Sequence, residues 1–140
     1  MKKKSEIPFK FSNDGFILLD IVFLFYNNYN EIKSEKFTFV FDTGCNSTVI
    51  NTKFAARLNF EINKKTPKSK IRTASKVETT YKYISPLVEM PEIAYKIENF
   101  EVQFFDVLVD EEEYAGYLGL DFFKGRKFCV DLDSQIISLE

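Results

Sequence analysis

Apolar and polar residues alternate with a period of two through much of this chain, the signature of strands buried on one face. Ile7, Phe9 and Phe11 alternate with polar neighbours, Asn13-Asp14-Gly15 is a turn, and Phe16 to Phe25 follows as a long apolar strand. Together they predict a β-hairpin. Asn27 to Ser34 is polar and reads as a loop, after which Phe37, Phe39 and Phe41 set three rings on one face of a strand ending at Asp42. Asn51 has the side chain of an N-cap, and Phe54, Ala55 and Leu58 share one side of the short helix it opens. Lys64 to Lys76 is basic and polar, whereas Val77 to Val88 and Ile97 to Val109 read as two further strands. Glu111-Glu112-Glu113 marks an exposed acidic loop, Asp121 to Lys124 a short helix stopped by Gly125, and Asp133-Ser134 the turn between two closing strands. The sum is a loose polar tail over residues 1–6 and one mostly β, Greek-key-like domain over residues 7–140, with one or two short helices. No repeat, low-complexity tract or internal linker interrupts it.

The chemistry concentrates where the phenylalanine strand ends. Phe37-Thr38-Phe39-Val40-Phe41 runs directly into Asp42-Thr43-Gly44, followed by the short polar stretch Cys45-Asn46-Ser47-Thr48 and apolar Val49-Ile50. Such an arrangement lifts a carboxylate out of a buried sheet on a tight turn that glycine permits. A strand-borne carboxylate has its direction fixed by the scaffold, as an acid or base must. The plainer alternative is a turn aspartate that bonds only its own backbone. No histidine occurs in the chain, which removes Ser-His and Cys-His catalysis and histidine-ligated metal sites.

A second block, Tyr117-Leu118-Gly119-Leu120-Asp121-Phe122-Phe123 with the closing strands after it, completes a pattern. The two blocks together resemble the retropepsin-like aspartic proteases, the single-domain relatives of retroviral proteases. Asp42, Thr43 and Gly44 match the catalytic loop, Thr48, Val49 and Ile50 the positions after it, and Leu118-Gly119 the downstream element. The resemblance spans residues 36–139 and implies a closed β-barrel, the half-domain of an acid protease. It implies an aspartic endopeptidase that needs no cofactor and no metal. Because one chain offers one Asp-Thr-Gly, it also implies a homodimer in which two Asp42 carboxylates share a proton and activate water. Thr43 would then brace the two loops, and Gly44 would let backbone approach the substrate. Asn46 would hold substrate backbone, and Leu118-Gly119 would pack beneath the loop. The stretch from Ile71 to Tyr83 would be the flap, with Thr73, Ala74 and Ser75 at its tip against the peptide. Three departures stand out: Cys45 where alanine is commoner, Asn46 where retroviral enzymes carry aspartate, and no glycine between Gly44 and Gly116 to loosen a flap tip. The intact acid loop favours the enzyme. The glycine-free flap favours the alternative, a catalytically inactive domain of the same fold that binds peptides or dimerises.

Composition narrows partners rather than mechanism. A formal net charge of −2 gives no overall pull toward nucleic acid or anionic membrane. Met1-Lys2-Lys3-Lys4 has the charge of a signal-peptide start, but Asp14 and Asp20 interrupt the apolar run that follows, and no stretch is long enough to span a bilayer. Two cysteines make no disulfide framework, and a reduced, cytoplasmic protein is the expectation. Cys45 reads as a small loop filler before a redox switch, and Cys129 as a half-buried strand thiol. Asp131 and Asp133 lack the spacing of a calcium loop and read as a solvated hairpin end. The lysines from Lys64 to Lys76 read first as a soluble loop and second as a means of steering acidic substrates. An apolar preference on both sides of the scissile bond is expected from the Phe- and Leu-rich surroundings.

Overall fold

The structure, a computed structural model, describes residues 5–140. Eleven strands run β1 (Ser5–Pro8), β2 (Lys10–Phe11), β3 (Ile17–Tyr26), β4 (Ile32–Phe41), β5 (Val49–Asn51), β6 (Lys68–Arg72), β7 (Val77–Met90), β8 (Tyr95–Phe105), β9 (Gly116–Leu118), β10 (Phe128–Asp131) and β11 (Ile136–Leu139). Two 3-10 helices, Thr52–Leu58 and Leu120–Phe123, complete the list. The strands β3-β4-β9-β5-β8-β7 pair in that order, and β7 pairs back onto β3, so six strands close a barrel. β2 continues the β3 edge, β6 pairs only with β7, and β1-β11-β10 form a separate three-stranded sheet.

The alternation in β4 does what its pattern predicts. Phe37, Phe39 and Phe41 are all buried, and across the ladder Phe39 faces Leu19 and Phe37 faces Ile21. Each buried ring contributes roughly 1.5–3 kcal/mol relative to exposure. The aromatic core then passes from β4 to the second helix: Phe41 meets Phe123 edge-on at 5.4 Å, and Phe128 of β10 lies 5.5 Å from Phe41. That contact ties the terminal sheet to the strand that carries Asp42. Ile7, Ile137 and Leu139 are fully buried within it.

Several boundaries differ from the sequence reading, each for a local reason. Ser5 and Glu6, assigned to the tail, pair with Leu139 and Ser138, and residues 1–4 lie outside the described residues. The hairpin over residues 7–25 is split. Ile7 belongs to the terminal sheet and only Lys10 and Phe11 pair with β3, the chain crossing between sheets at Phe9, whose N–H bonds Gln135 O. β4 starts at Ile32, inside the expected loop, because the turn is compact: the Asn27 side chain accepts the N–H of both Tyr29 and Glu31. The basic stretch conceals β6, whose Lys68, Lys70 and Arg72 are exposed and whose Ser69 and Ile71 are only half-buried, so that it carries little apolar alternation. β8 stops at Phe105, where the Val107 N–H turns back onto the Phe105 carbonyl. Cys129 is exposed, not half-buried, because β10 turns alternate side chains outward at a sheet edge. Asn51 caps the first helix as expected, accepting the Lys53 N–H, and Gly125 follows the second with φ +80°.

Candidate active site

Asp42 sits one residue beyond β4. Its N–H still donates to the Leu118 carbonyl at 3.0 Å, extending the parallel β4–β9 pairing, and the chain then turns so that Cys45 N–H reaches the Asp42 carbonyl at 3.1 Å. Within that turn the Gly44 N–H donates to Asp42 Oδ1 at 2.9 Å. The plain reading of Asp42 as a turn aspartate therefore describes one of its two oxygens. That bond fixes the carboxylate while Asp42 lines an open cleft of about 520 Å³.

The floor beneath the loop is built by residues 118–121. Leu118 is fully buried, Gly119 N–H donates to Thr48 Oγ1 at 3.1 Å, and Leu120 N–H donates to the Cys45 carbonyl at 2.8 Å. A Cβ on Gly119 would lie 2.8 Å from Cys45 O and 2.8 Å from Ser47 C, so only glycine fits. Gly116 is under the same constraint, its Cβ position lying 2.1 Å from Val49 O where β9 presses against β5. Below them Asp121 closes the network. Its two oxygens accept the Thr48 N–H at 3.0 Å and the Thr48 hydroxyl at 2.8 Å, and Thr48 is fully buried. Burial raises the Asp121 pKa, and the bonds from Thr48 offset only part of that.

The roof is the β6–β7 hairpin. Lys70 to Ala74 face Asp42, Gly44, Cys45, Asn46, Ser47 and Val49 across the cleft, whose end is closed by Phe105, Val107 and Tyr117. The hairpin reverses without glycine. Thr73 N–H bonds the Lys76 carbonyl at 2.8 Å, while the Thr73 hydroxyl both donates to that carbonyl and accepts the Lys76 N–H. None of residues 73–76 has a positive φ. At its base Thr80 is fully buried and donates to Gln103 Oε1 at 2.6 Å.

Of the residues singled out from sequence, Asp42, Gly44, Cys45, Asn46, Thr73 and Ala74 meet in this cleft. Leu118 and Gly119 lie beneath the loop, as just described. Thr43 and Ser75 are exposed and form no part of the cleft wall. Cys45 donates its thiol to the Ser47 carbonyl, and burial, with Asp42 and Asp121 nearby, raises its pKa. A thiol so held is a poor thiolate nucleophile. Sequence reasoning missed Tyr117 and Asp121. Tyr117 alternates with buried Gly116 and Leu118, which a three-residue strand makes hard to see. Its hydroxyl donates to Leu108 O at 3.3 Å, and its pKa is pushed up to about 12 by burial first and then by Tyr114 and Asp42. Among the described residues no group of acidic or cysteine side chains could hold a metal ion, and no helix is long and apolar enough to cross a membrane.

A closed barrel with an Asp-Thr-Gly loop on a glycine-backed floor and a hairpin roof defines a retropepsin-like aspartic protease domain. Residues 30–122 match the family model for aspartyl proteases, and the chain belongs to that family. The fold is similar to the crystal structure of a retropepsin-like aspartic protease from Rickettsia conorii, with a TM-score of 0.65 and 20% identity over 98% of this chain and 91% of that one. Comparison with curated proteins finds no match.

Proposed function

We propose that this domain is an aspartic endopeptidase that acts as a homodimer, with Asp42 of each protomer contributing one carboxylate. The observation that carries the proposal is the cleft itself. The Asp42 carboxylate, held by the Gly44 N–H, lines an open channel between a pinned floor and a hairpin roof. One carboxylate cannot both take a proton from water and polarise a carbonyl. Two held together share a proton and divide those roles. Thr43 and Gly44 are exposed beside Asp42, which leaves the tip of the loop accessible to a second copy. An extended peptide fits between floor and roof as an added strand. Val49, Ile71, Phe105, Val107 and Tyr117 supply apolar wall for the side chains beside the scissile bond. The glycine-free flap, which in sequence favours a non-catalytic peptide binder, is a regular hairpin closed by Thr73. That geometry supports the catalytic reading.

The test compares wild type with Asp42→Asn on a complex peptide library read by mass spectrometry from about pH 4 to 7, alongside sedimentation to measure the dimer. Cuts by the wild type should fall by about 10²–10⁴-fold in the variant. A dimer that cuts nothing would overturn the enzyme and leave the peptide binder.

A further inference from the structure

We infer that the cleft selects acidic peptides, through Lys70 and Arg72 on the flap strand. The inference rests on the protease reading only in taking this cleft as the peptide site. Residues 64–76 hold six Lys and Arg and no Asp or Glu, in a chain whose formal net charge is −2. As a loop this would be an ordinary soluble stretch. It is instead the loop into β6 followed by β6 itself, which roofs the cleft. Lys70 and Arg72 both line the cleft, and the one acidic residue lining it is Asp42. Five other cations have acidic partners: Lys53 pairs with Glu111, Arg57 with Glu35, Lys76 with Glu78, Lys82 with Glu101 and Lys96 with Glu89. Among the described residues Lys70 and Arg72 have no such partner.

Two further points fit a peptide ligand. Residues two apart on a strand share a face and stand about 6.6 Å apart, which is also the spacing of alternate side chains on an extended peptide. Lys70 and Arg72 are the exposed positions of β6, alternating with Ile71, so they would meet Asp or Glu at positions i and i+2 of the substrate at the open rim of the cleft. In a dimer, two flaps would double the positive charge over the groove and attract an acidic segment before it docks. The acidic positions lie outward of the residues on either side of the cut, which face the apolar wall.

Binding tests this apart from catalysis. A fluorescent peptide carrying two Glu residues at i and i+2, and its twin with Gln at both, are titrated against full-length Asp42→Asn by anisotropy at low salt. The Glu peptide should bind about five- to tenfold more tightly, the scale of two exposed ion pairs. Adding Lys70→Gln and Arg72→Gln should bring that ratio close to one, as should high salt. Lys124→Gln with Lys127→Gln, a charge-matched change away from the cleft, should leave it unaltered. A ratio near one in the parent protein, or a ratio the flap substitutions do not change, overturns the inference. Library cleavage by wild type without acidic preference would sink this inference and keep the protease. Acidic preference in binding with no cleavage would do the reverse.

Discussion

The floor and the roof of the cleft are held in opposite ways. Residues 42–48 are gripped from below at almost every turn: Asp42 by Leu118, Cys45 by Leu120, and Thr48 by Gly119, Asp121 and the Gln103 N–H. Among the described residues the flap has β7 along one side of β6 and no strand along the other, and its outer residues are exposed. The floor thus keeps a carboxylate in one direction, while the roof has fewer bonds to hold it; on the protease reading, that is the part that would open for a peptide and close over it. The first changes tested should damage the floor, and the later ones should separate it from the roof.

The largest effect is expected from Gly119→Ala. Its Cβ would meet backbone on two sides, at Cys45 and Ser47, and Asp121 Oδ1 at 3.0 Å. Neither backbone can move without displacing the Asp42 loop. Overpacking of this kind costs about 1–3 kcal/mol, and this site belongs at the upper end. Thermal unfolding should register that loss, with peptide cleavage reduced in step.

Asp121→Ala comes next. It strands the N–H and hydroxyl of fully buried Thr48, at about 1–3 kcal/mol. Asp121→Asn keeps one acceptor and should cost less. The pair also carries a pH signature. Burial holds the native Asp121 pKa above its ordinary value, so as pH rises the unfolded chain loses this proton first. The contribution of Asp121 to stability therefore falls as pH climbs from the ordinary carboxylate value through the raised one. Measured by Tm from about pH 3.5 to 6, the deficit of Asp121→Asn relative to wild type should shrink with rising pH. A deficit that grows would mean that the bonds from Thr48, not burial, dominate.

The floor was the more legible half of the site in the sequence, and the reason is physical. Gly119 lies where backbone on two sides excludes any Cβ, and the Gly44 N–H bonds the Asp42 carboxylate, so the two blocks that carry them are informative together. Phe37, Phe39 and Phe41 were readable because burial on one face imposes period two. The flap strand was not, since its outer face is exposed and its inner face, Ser69 and Ile71, is only partly buried, which leaves Lys68 to Arg72 with a single apolar residue. The terminal sheet failed differently. Ile7 alternates as a hairpin strand should, but alternation does not say which partner a strand takes, and its partner is Ile137, over a hundred residues away. Asp121 escaped because its role depends on Thr48, and one sequence does not reveal such pairs.

At the base of the roof, Thr80→Val should cost about 1–2 kcal/mol by leaving the buried Gln103 Oε1 without its donor. Its stability effect resembles that of a floor residue, since Thr80 is where the hairpin enters the barrel. KM should rise with it, as the flap loses its anchor.

Thr73→Ala should have the smallest effect on stability and is the sharpest test of the comparison. It removes the hydroxyl that accepts the Lys76 N–H and donates to the Lys76 carbonyl, but Thr73 N–H to Lys76 O remains. The turn is exposed, so water replaces what is lost, and a net cost of roughly 0.5 kcal/mol or less is expected from so exposed a bond. Cleavage should feel it more than folding does. A looser tip must be ordered by the substrate, which raises KM about two- to fivefold while kcat changes little, the pattern of lost uniform binding. Steady-state kinetics with a matched unfolding curve separates the two. If Thr73→Ala instead lowered Tm as much as Asp121→Ala, the flap tip would belong to the cooperative core, and the contrast between pinned floor and yielding roof would be wrong.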